Sequence, residues 1–235
     1  MGSRQINIGG VTPFSATDYP GKFATVVFVQ GCPWRCGYCH NPHLQERTRT
    51  AQVPWDDVLA LLTRRAGLID AVVFSGGEPT TDPGLVRAIA QVKAMGFGAG
   101  LHTACVYPRR LELALPLLDW VGFDIKAPFA QYERITGVAG SGEHARECAA
   151  MIVDSGVPYE CRTTIHPSLL APHEILSLAM MLSALGVRNY ALQQFRAQGC
   201  TDAVLGAAAL DGYPGQRTLD AVGSLFEQFT YRRPG

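Results

Sequence analysis

The sequence predicts an α/β fold: a parallel sheet whose strands are joined by crossover helices. Three observations carry the prediction. The run Phe23 to Val29 is apolar but for Thr25 and rich in β-branched residues, as a strand buried on both faces requires. Strand-like and helix-like stretches then alternate along the chain, the pattern of a parallel sheet with helical connections. The alternation amounts to six strand–helix units, short of the eight that close a full barrel.

Residues 5 to 22 read as irregular or hairpin structure, with turn signals at Gly9-Gly10, Pro13 and Tyr19 to Gly21. After the first strand, Phe23 to Val29, helical spacing of Trp55, Val58, Leu59 and Leu62 predicts a helix over Pro54 to Ala66. A second strand, Ala71 to Phe74, precedes a helix opened by Asp82-Pro83, lined by Leu85, Ala88, Ile89 and Val92, and stopped by Gly96. The third strand, Gly98 to Thr103, is followed by a helix from Arg109 to Leu118. The fourth, Trp120 to Lys126, is followed by a looser segment and a helix from Glu143 to Ser155, with Ala145, Cys148, Ala149 and Ile152 inward. The fifth, Tyr159 to Ile165, leads into Pro172 to Leu185, which Gly186 closes. The sixth spans Asn189 to Phe195, and a long loop then reaches a last helix over Gln216 to Tyr231. The expectation is one domain over 1–235, with 1–22 as an N-terminal extension and 196–235 as a C-terminal loop and helix.

Composition narrows the function classes. A chain of 235 residues with 47% hydrophobic and 17% charged residues has the make-up of a globular domain with a full core. Twenty basic and twenty acidic residues balance, so no global field favours nucleic acid or anionic lipid. No apolar run approaches membrane-spanning length, and Met1 to Gln5 lacks a signal-peptide core, so the expectation is a cytoplasmic protein without membrane or nucleic-acid partners. The seven cysteines are odd in number and four are scattered, which suits a reducing compartment. Cys105, Cys148, Cys161 and Cys200 have no metal-ligand spacing and read as small buried hydrophobes.

The other three cysteines set the chemistry. Cys32, Cys36 and Cys39 share one short loop between Gly31 and Pro42, directly after the first strand. Thiols so closely spaced indicate a metal site, because the thiolate is the ligand form and soft sulfur selects zinc, copper(I) or iron–sulfur. Spacing leaves three readings open: a Cys3His zinc site completed by His40 or His43, haem attachment through Cys36-x-x-Cys39-His40, and a [4Fe–4S] cluster on three cysteines with one iron open.

The C-x-x-x-C-x-x-C spacing, with Tyr38 before the third cysteine, resembles the radical SAM signature, and Ser75-Gly-Gly-Glu-Pro79 resembles that superfamily's second motif. The passage Ser15 to Lys22 running into Gln30 to Pro42 is similar to activating proteins of anaerobic ribonucleoside-triphosphate reductase and, less closely, to pyruvate formate-lyase activating enzymes. The strong part of the match covers about residues 9 to 80, with weaker echoes to about 200. The resemblance implies a partial (β/α)6 barrel open on one side, a [4Fe–4S] cluster on Cys32, Cys36 and Cys39, and S-adenosylmethionine (SAM) chelating the open iron. One electron then cleaves SAM to a 5′-deoxyadenosyl radical, which takes a hydrogen from a glycine on the partner enzyme. The implied partners are that glycyl-radical enzyme and a one-electron donor such as flavodoxin or ferredoxin.

Ligands of α/β folds sit at the carboxyl ends of the strands, and polar groups stand at all six ends here. Gly76 and Gly77 would let the backbone approach SAM, with Glu78 and Thr103 beside it. Tyr38 offers adenine a contact or simply packs. The resemblance makes Asp124 and Lys126 ligands of the methionine moiety, where a mutual ion pair is the alternative. Arg162 suits a carboxylate or ribose. Two positions depart from the activase pattern: His102 stands where an acidic residue is common, and Arg196 replaces a histidine of some formate-lyase activases. His102 reads first as a buried, hydrogen-bonded imidazole, and His40, His43 and His166 as outer-layer or surface residues. Ser15 to Tyr19 and the loop Ala197 to Gly215 are the candidate partner-docking segments. A small-molecule enzyme resembling 7-carboxy-7-deazaguanine synthase, and a zinc-binding interaction module, are the other readings.

Overall fold

The computed structural model describes residues 5–48, 50–208 and 210–233. Met1 to Arg4, on which most of the leader expectation rests, lie outside the described residues. One eight-stranded sheet runs in chain order: β1 Ile8–Ser15, β2 Ala24–Val29, β3 Ala71–Gly76, β4 Gly98–Thr103, β5 Trp120–Asp124, β6 Tyr159–Ile165, β7 Asn189–Gln194 and β8 Gln228–Arg232. β2 to β8 are parallel, and β1 is antiparallel to β2. β1 and β8 stand at the two edges, so the curved sheet is open rather than closed. The helices are α1 Trp55–Arg64, α2 Leu85–Ala94, α3 Pro108–Ala114, α4 Tyr132–Thr136, α5 Ser141–Asp154, α6 Pro172–Ala184, α7 Ala203–Gly206 and α8 Gln216–Gly223.

Six predicted strands are present, and the inner stripes of α2 and α5 are those the helical spacing marks. Two corrections concern the ends. The hairpin-like N-terminus contributes a full edge strand, β1. The predicted helix Gln216 to Tyr231 stops at Gly223, and the chain re-enters the sheet as β8, where Phe229 and Tyr231 are half-buried between more exposed neighbours. Inside the predicted Arg109 to Leu118 helix, the α-helix ends at Ala114 and a 3-10 turn takes over at Leu115–Leu117, around Pro116. The looser segment before α5 holds a short helix, α4. The helix expected to open at Asp82-Pro83 begins at Leu85; Asp82 instead accepts a hydrogen bond from the Gly84 amide at 2.7 Å.

Period-two alternation divides each strand between two faces. Val27, Val29, Val72, Phe74, Leu101, Val121 and Phe123 belong to the large core under the helices. Ala24, Val26, Ala71, Val73 and Trp120 face inward and pack with Tyr19 in a small cluster of their own. Tyr19 and Trp120 rings meet at 5.3 Å, and a Cβ on Gly100 would lie 3.1 Å from the Tyr19 ring. Because Ser15 pairs with Ala24 at the start of β2, the turn Ser15 to Tyr19 lies at the amino end of the strands. It therefore closes the floor of the open barrel, beneath the cavity at the strand carboxyl ends, which it reaches through the Asp18 carbonyl and His102.

Candidate functional site

The inward face that carries this floor cluster continues, at the carboxyl ends, into a polar cavity. In-register pairing of parallel strands puts Asp124 opposite Arg162 and His102 opposite Gly122. One cavity is lined by Cys32, Cys36, Cys39 and Tyr38 of the cysteine loop, by Gly76 and Gly77, and by His102, Thr103, Asp124, Lys126 and Arg162. His40 and Thr164 also contribute to the wall. Thus every predicted cluster or SAM residue except Glu78 borders the same hollow, whereas His43, His166 and Arg196 do not. A second hollow of ≈ 360 Å³, between α8 and the β7–β8 edge, is lined by residues including Gln194, Leu210, Tyr213 and Arg233, and gathers no thiol.

Glu78 is the exception. It is fully buried behind the wall, where its carboxylate accepts from the Thr80 amide (3.0 Å) and hydroxyl (2.6 Å), the Thr103 hydroxyl (2.9 Å) and the Ala104 amide (2.7 Å). Burial raises this carboxyl above its ordinary range against the pull of those four donors. Its side chain ties the end of β3 to the end of β4 and has no free face for a ligand.

The two glycines also have a local reason. Gly76 has φ +126, and a Cβ there would sit 2.4 Å from the Val29 N and O atoms. A Cβ on Gly77 would meet the Gly31 and Leu44 carbonyl oxygens at 2.6 and 2.7 Å. Gly76 is needed for the close approach of the second motif to the end of β2, and Gly77 for its approach to the two ends of the cysteine loop. Close approach to a ligand, the expectation from sequence, is an addition to this packing requirement.

Sequence reasoning missed the residues that hold the cysteine loop from behind. Gln30 lies across Gly9 and donates to the His43 and Glu46 carbonyls, while Asn7 donates to Thr48. On the other side, Cys200 Sγ lies 3.4 Å from the Gly37 carbonyl, His40 donates to the Arg196 carbonyl at 3.0 Å, and a Cβ on Gly199 would reach the His40 carbonyl at 2.6 Å. The segment from Phe195 to Leu205 therefore covers the loop. Cys105, Cys148 and Cys161 are buried as expected, whereas Cys200 is half-buried. His166, expected at the surface or in an outer layer, is fully buried; it donates to the Leu205 carbonyl and accepts from the Ser168 amide. None of these contacts runs through a side-chain pattern visible in sequence; Gly9 was the one available signal.

Charge in the cavity is organised around Asp124. Its Oδ1 accepts from Arg162 Nε at 3.0 Å, and Lys126 Nζ lies 4.0 Å from Oδ2. Desolvation would raise this carboxyl, but Arg162 and Lys126 outweigh it and hold it below the ordinary carboxylate range. Desolvation also pulls Lys126 down, yet Tyr38, Cys36 and Asp124 keep it well above its usual value, and its ammonium sits 5.4 Å from the Tyr38 ring. The alternative reading of Asp124, an ion pair, is met chiefly by Arg162.

His102 donates from Nε2 to the Asp18 carbonyl at 2.8 Å and lies edge-on to Trp120 at 5.5 Å. Burial, then Arg162, outweigh Asp18 and Asp124 and lower its pKa from 6.5 to about 4. A depressed histidine binds its proton more weakly in the folded state, so its contribution is full above pH 6.5 and is lost as pH falls toward 4. Urea denaturation across that window should show roughly 3 kcal/mol of acid destabilisation, and His102→Gln should flatten the limb.

Among the described residues, no three His, Cys, Asp or Glu side chains are already drawn together around a metal position. The donor chemistry nevertheless fits a soft metal. Burial is the first cause that pushes Cys32 up to about 12 and raises Cys36, so these thiols lose their protons readily only when a metal supplies the compensating charge. His40 lines the cavity but spends Nε2 on Arg196, and His43 does not line it.

Comparison with known proteins agrees with this geometry. The Methanocaldococcus jannaschii protein MJ1227, named as a glycyl-radical enzyme activating enzyme, is 31% identical over 83% of this chain and 82% of its own length. A pyruvate formate-lyase-activating enzyme of Clostridium pasteurianum is 33% identical over 77% of each chain. In fold, the chain resembles Streptococcus suis SuiB bound to precursor peptide SuiA, with TM-score 0.70 and 14% identity over 88% of this chain; it spans about half, 48%, of that one. No helix among the described residues is long and apolar enough to cross a membrane. The Radical SAM superfamily profile matches residues 26–176, from β2 through the cysteine loop and the cavity wall into α6, and the chain belongs to that superfamily.

Proposed function

We propose that this protein is a radical SAM activase that generates a glycyl radical on a partner enzyme, with an anaerobic ribonucleoside-triphosphate reductase as that partner. The observation that carries the reading is one cavity uniting Cys32, Cys36 and Cys39 with Gly76, Gly77 and the Asp124, Lys126 and Arg162 charges. Radical SAM enzymes use a [4Fe–4S] cluster and SAM; bound here, the pair would supply reductive cleavage of the sulfonium C–S bond.

The chain's own residues then have distinct tasks. Cys32, Cys36 and Cys39 would hold the cluster as thiolates. Asp124 offers a carboxylate to the SAM ammonium, Arg162 and Lys126 offer cations to its carboxylate, and Thr103 and Tyr38 shape the wall. Glu78 acts on the ligand only through the turn it fixes. The gap between the β1 and β8 edges gives a protein loop a way in, and the electron comes from a flavodoxin- or ferredoxin-type donor.

The test follows the hydrogen. With a cognate reductase deuterated at its glycine Cα, deuterium should enter the 5′-methyl group of 5′-deoxyadenosine, about one nucleoside per radical formed. Deuterium arriving instead from a small metabolite, with no stimulation by any reductase, would replace the activase with the deazaguanine-synthase-like reading. Tight zinc with no iron uptake would replace both with the zinc module.

A further inference from the structure

We propose that Arg35 is a positioning residue for the cysteine loop and that its charge raises the reduction potential of the cluster. This rests on the assignment of the cluster to Cys32, Cys36 and Cys39, between the first two of which Arg35 lies. Although Arg35 is exposed, its side chain does not reach away from the protein. It folds back, and Nη1 donates to the Cys32 carbonyl at 2.5 Å and to the Trp34 carbonyl at 2.9 Å.

The backbone is fixed from the other side. The Arg35 amide donates to the Thr136 carbonyl at 2.8 Å, using an acceptor at the end of α4 that has no partner within a helix. Gly137 follows with φ +68, and a Cβ there would lie 3.8 Å from Arg35 Cβ. Trp34, next in chain, is buried edge-on to the Tyr132 ring at 5.6 Å. The guanidinium is therefore held against the backbone of a ligand cysteine.

Its charge is also uncompensated. Among the described residues no carboxylate forms an ion pair with Arg35, whereas Lys126, the nearby buried cation, has Asp124. Reduction adds one electron, from a reductant such as dithionite, to a cluster already carrying three thiolates. A fixed cation on the ligand loop favours the more negative, reduced state. Arg35 is exposed, so salt should screen the effect.

The experiment is an anaerobic redox titration of the reconstituted full-length protein, followed by EPR, after iron and sulfide analysis. Arg35→Gln can keep one donor to the Cys32 carbonyl and loses the charge; its cluster should be about threefold to tenfold harder to reduce at low ionic strength. Arg35→Lys should stay near the parent protein, and the parent should converge on Arg35→Gln as salt rises. Equal midpoints for the parent and Arg35→Gln, or a Lys variant shifted as far as the Gln variant, would overturn the proposal. Should Arg35→Gln fail to keep its cluster, the salt series on the parent and Arg35→Lys decides: midpoints indifferent to ionic strength overturn it. Failure of the parent to assemble any iron–sulfur cluster would instead overturn the cluster assignment beneath it.

Discussion

Gly77→Val should strip the protein of its iron as well as its affinity for SAM. From sequence alone the glycine serves ligand approach, and valine would then leave the cluster intact. The geometry changes that expectation. The first carbon of any side chain at this position would lie 2.6 to 2.8 Å from backbone atoms of Gly31 and Leu44, which bracket the cysteine loop. Backbone cannot swing aside as a flexible side chain can, so the loop must shift, and overpacking of this kind costs about 1–3 kcal/mol before the metal is considered. Iron and sulfide analysis after anaerobic reconstitution reads the result directly. A Gly77→Val protein with its full iron complement and no SAM binding would show that the strain is relieved toward the ligand side.

Glu78→Ala should cost about 3 kcal/mol or more in global stability. Removing the carboxylate strands two backbone amides and two hydroxyls inside the protein and leaves a cavity where a fully buried side chain was. Glu78→Gln should cost less, because its carbonyl can still serve the three donors at Oε1 while its amide faces the Ala104 N–H. Urea denaturation of the metal-free variants measures both. A Glu78→Ala protein as stable as the parent but unable to bind SAM would return this residue to the ligand.

Much of the fold was legible because burial imposes a readable period. Strands such as Ala71 to Phe74 are apolar on both faces, and helices such as α2 repeat Leu85, Ala88, Ile89 and Val92 against the sheet. The C-terminus misled for the same reason. Leu219, Val222, Phe226 and Phe229 continue a helical spacing across Gly223-Ser224, where the helix in fact stops, and the β-favouring run Phe229, Thr230, Tyr231 belongs to an edge strand. At the site, the side chains that border the cavity could be named because they stand at strand ends and share one face. The supports could not. Arg35 and Cys200 act on carbonyl groups of the loop, and Gln30 and Asn7 on those of the segment just after it; a carbonyl leaves no mark in the sequence.

The cover over the cysteine loop has a consequence for assembly. The sheet adds strands in chain order, so each new strand docks on its immediate predecessor and can do so as the chain is made. The contacts of Arg196 with His40 and of Cys200 with Gly37 break that order, spanning 156 and 163 residues. Until the last quarter of the chain has emerged and folded, the outer side of the loop stays bare. Cys32, Cys36 and Cys39 thus gain their outer cover only when Phe195 to Leu205 arrives, late in synthesis.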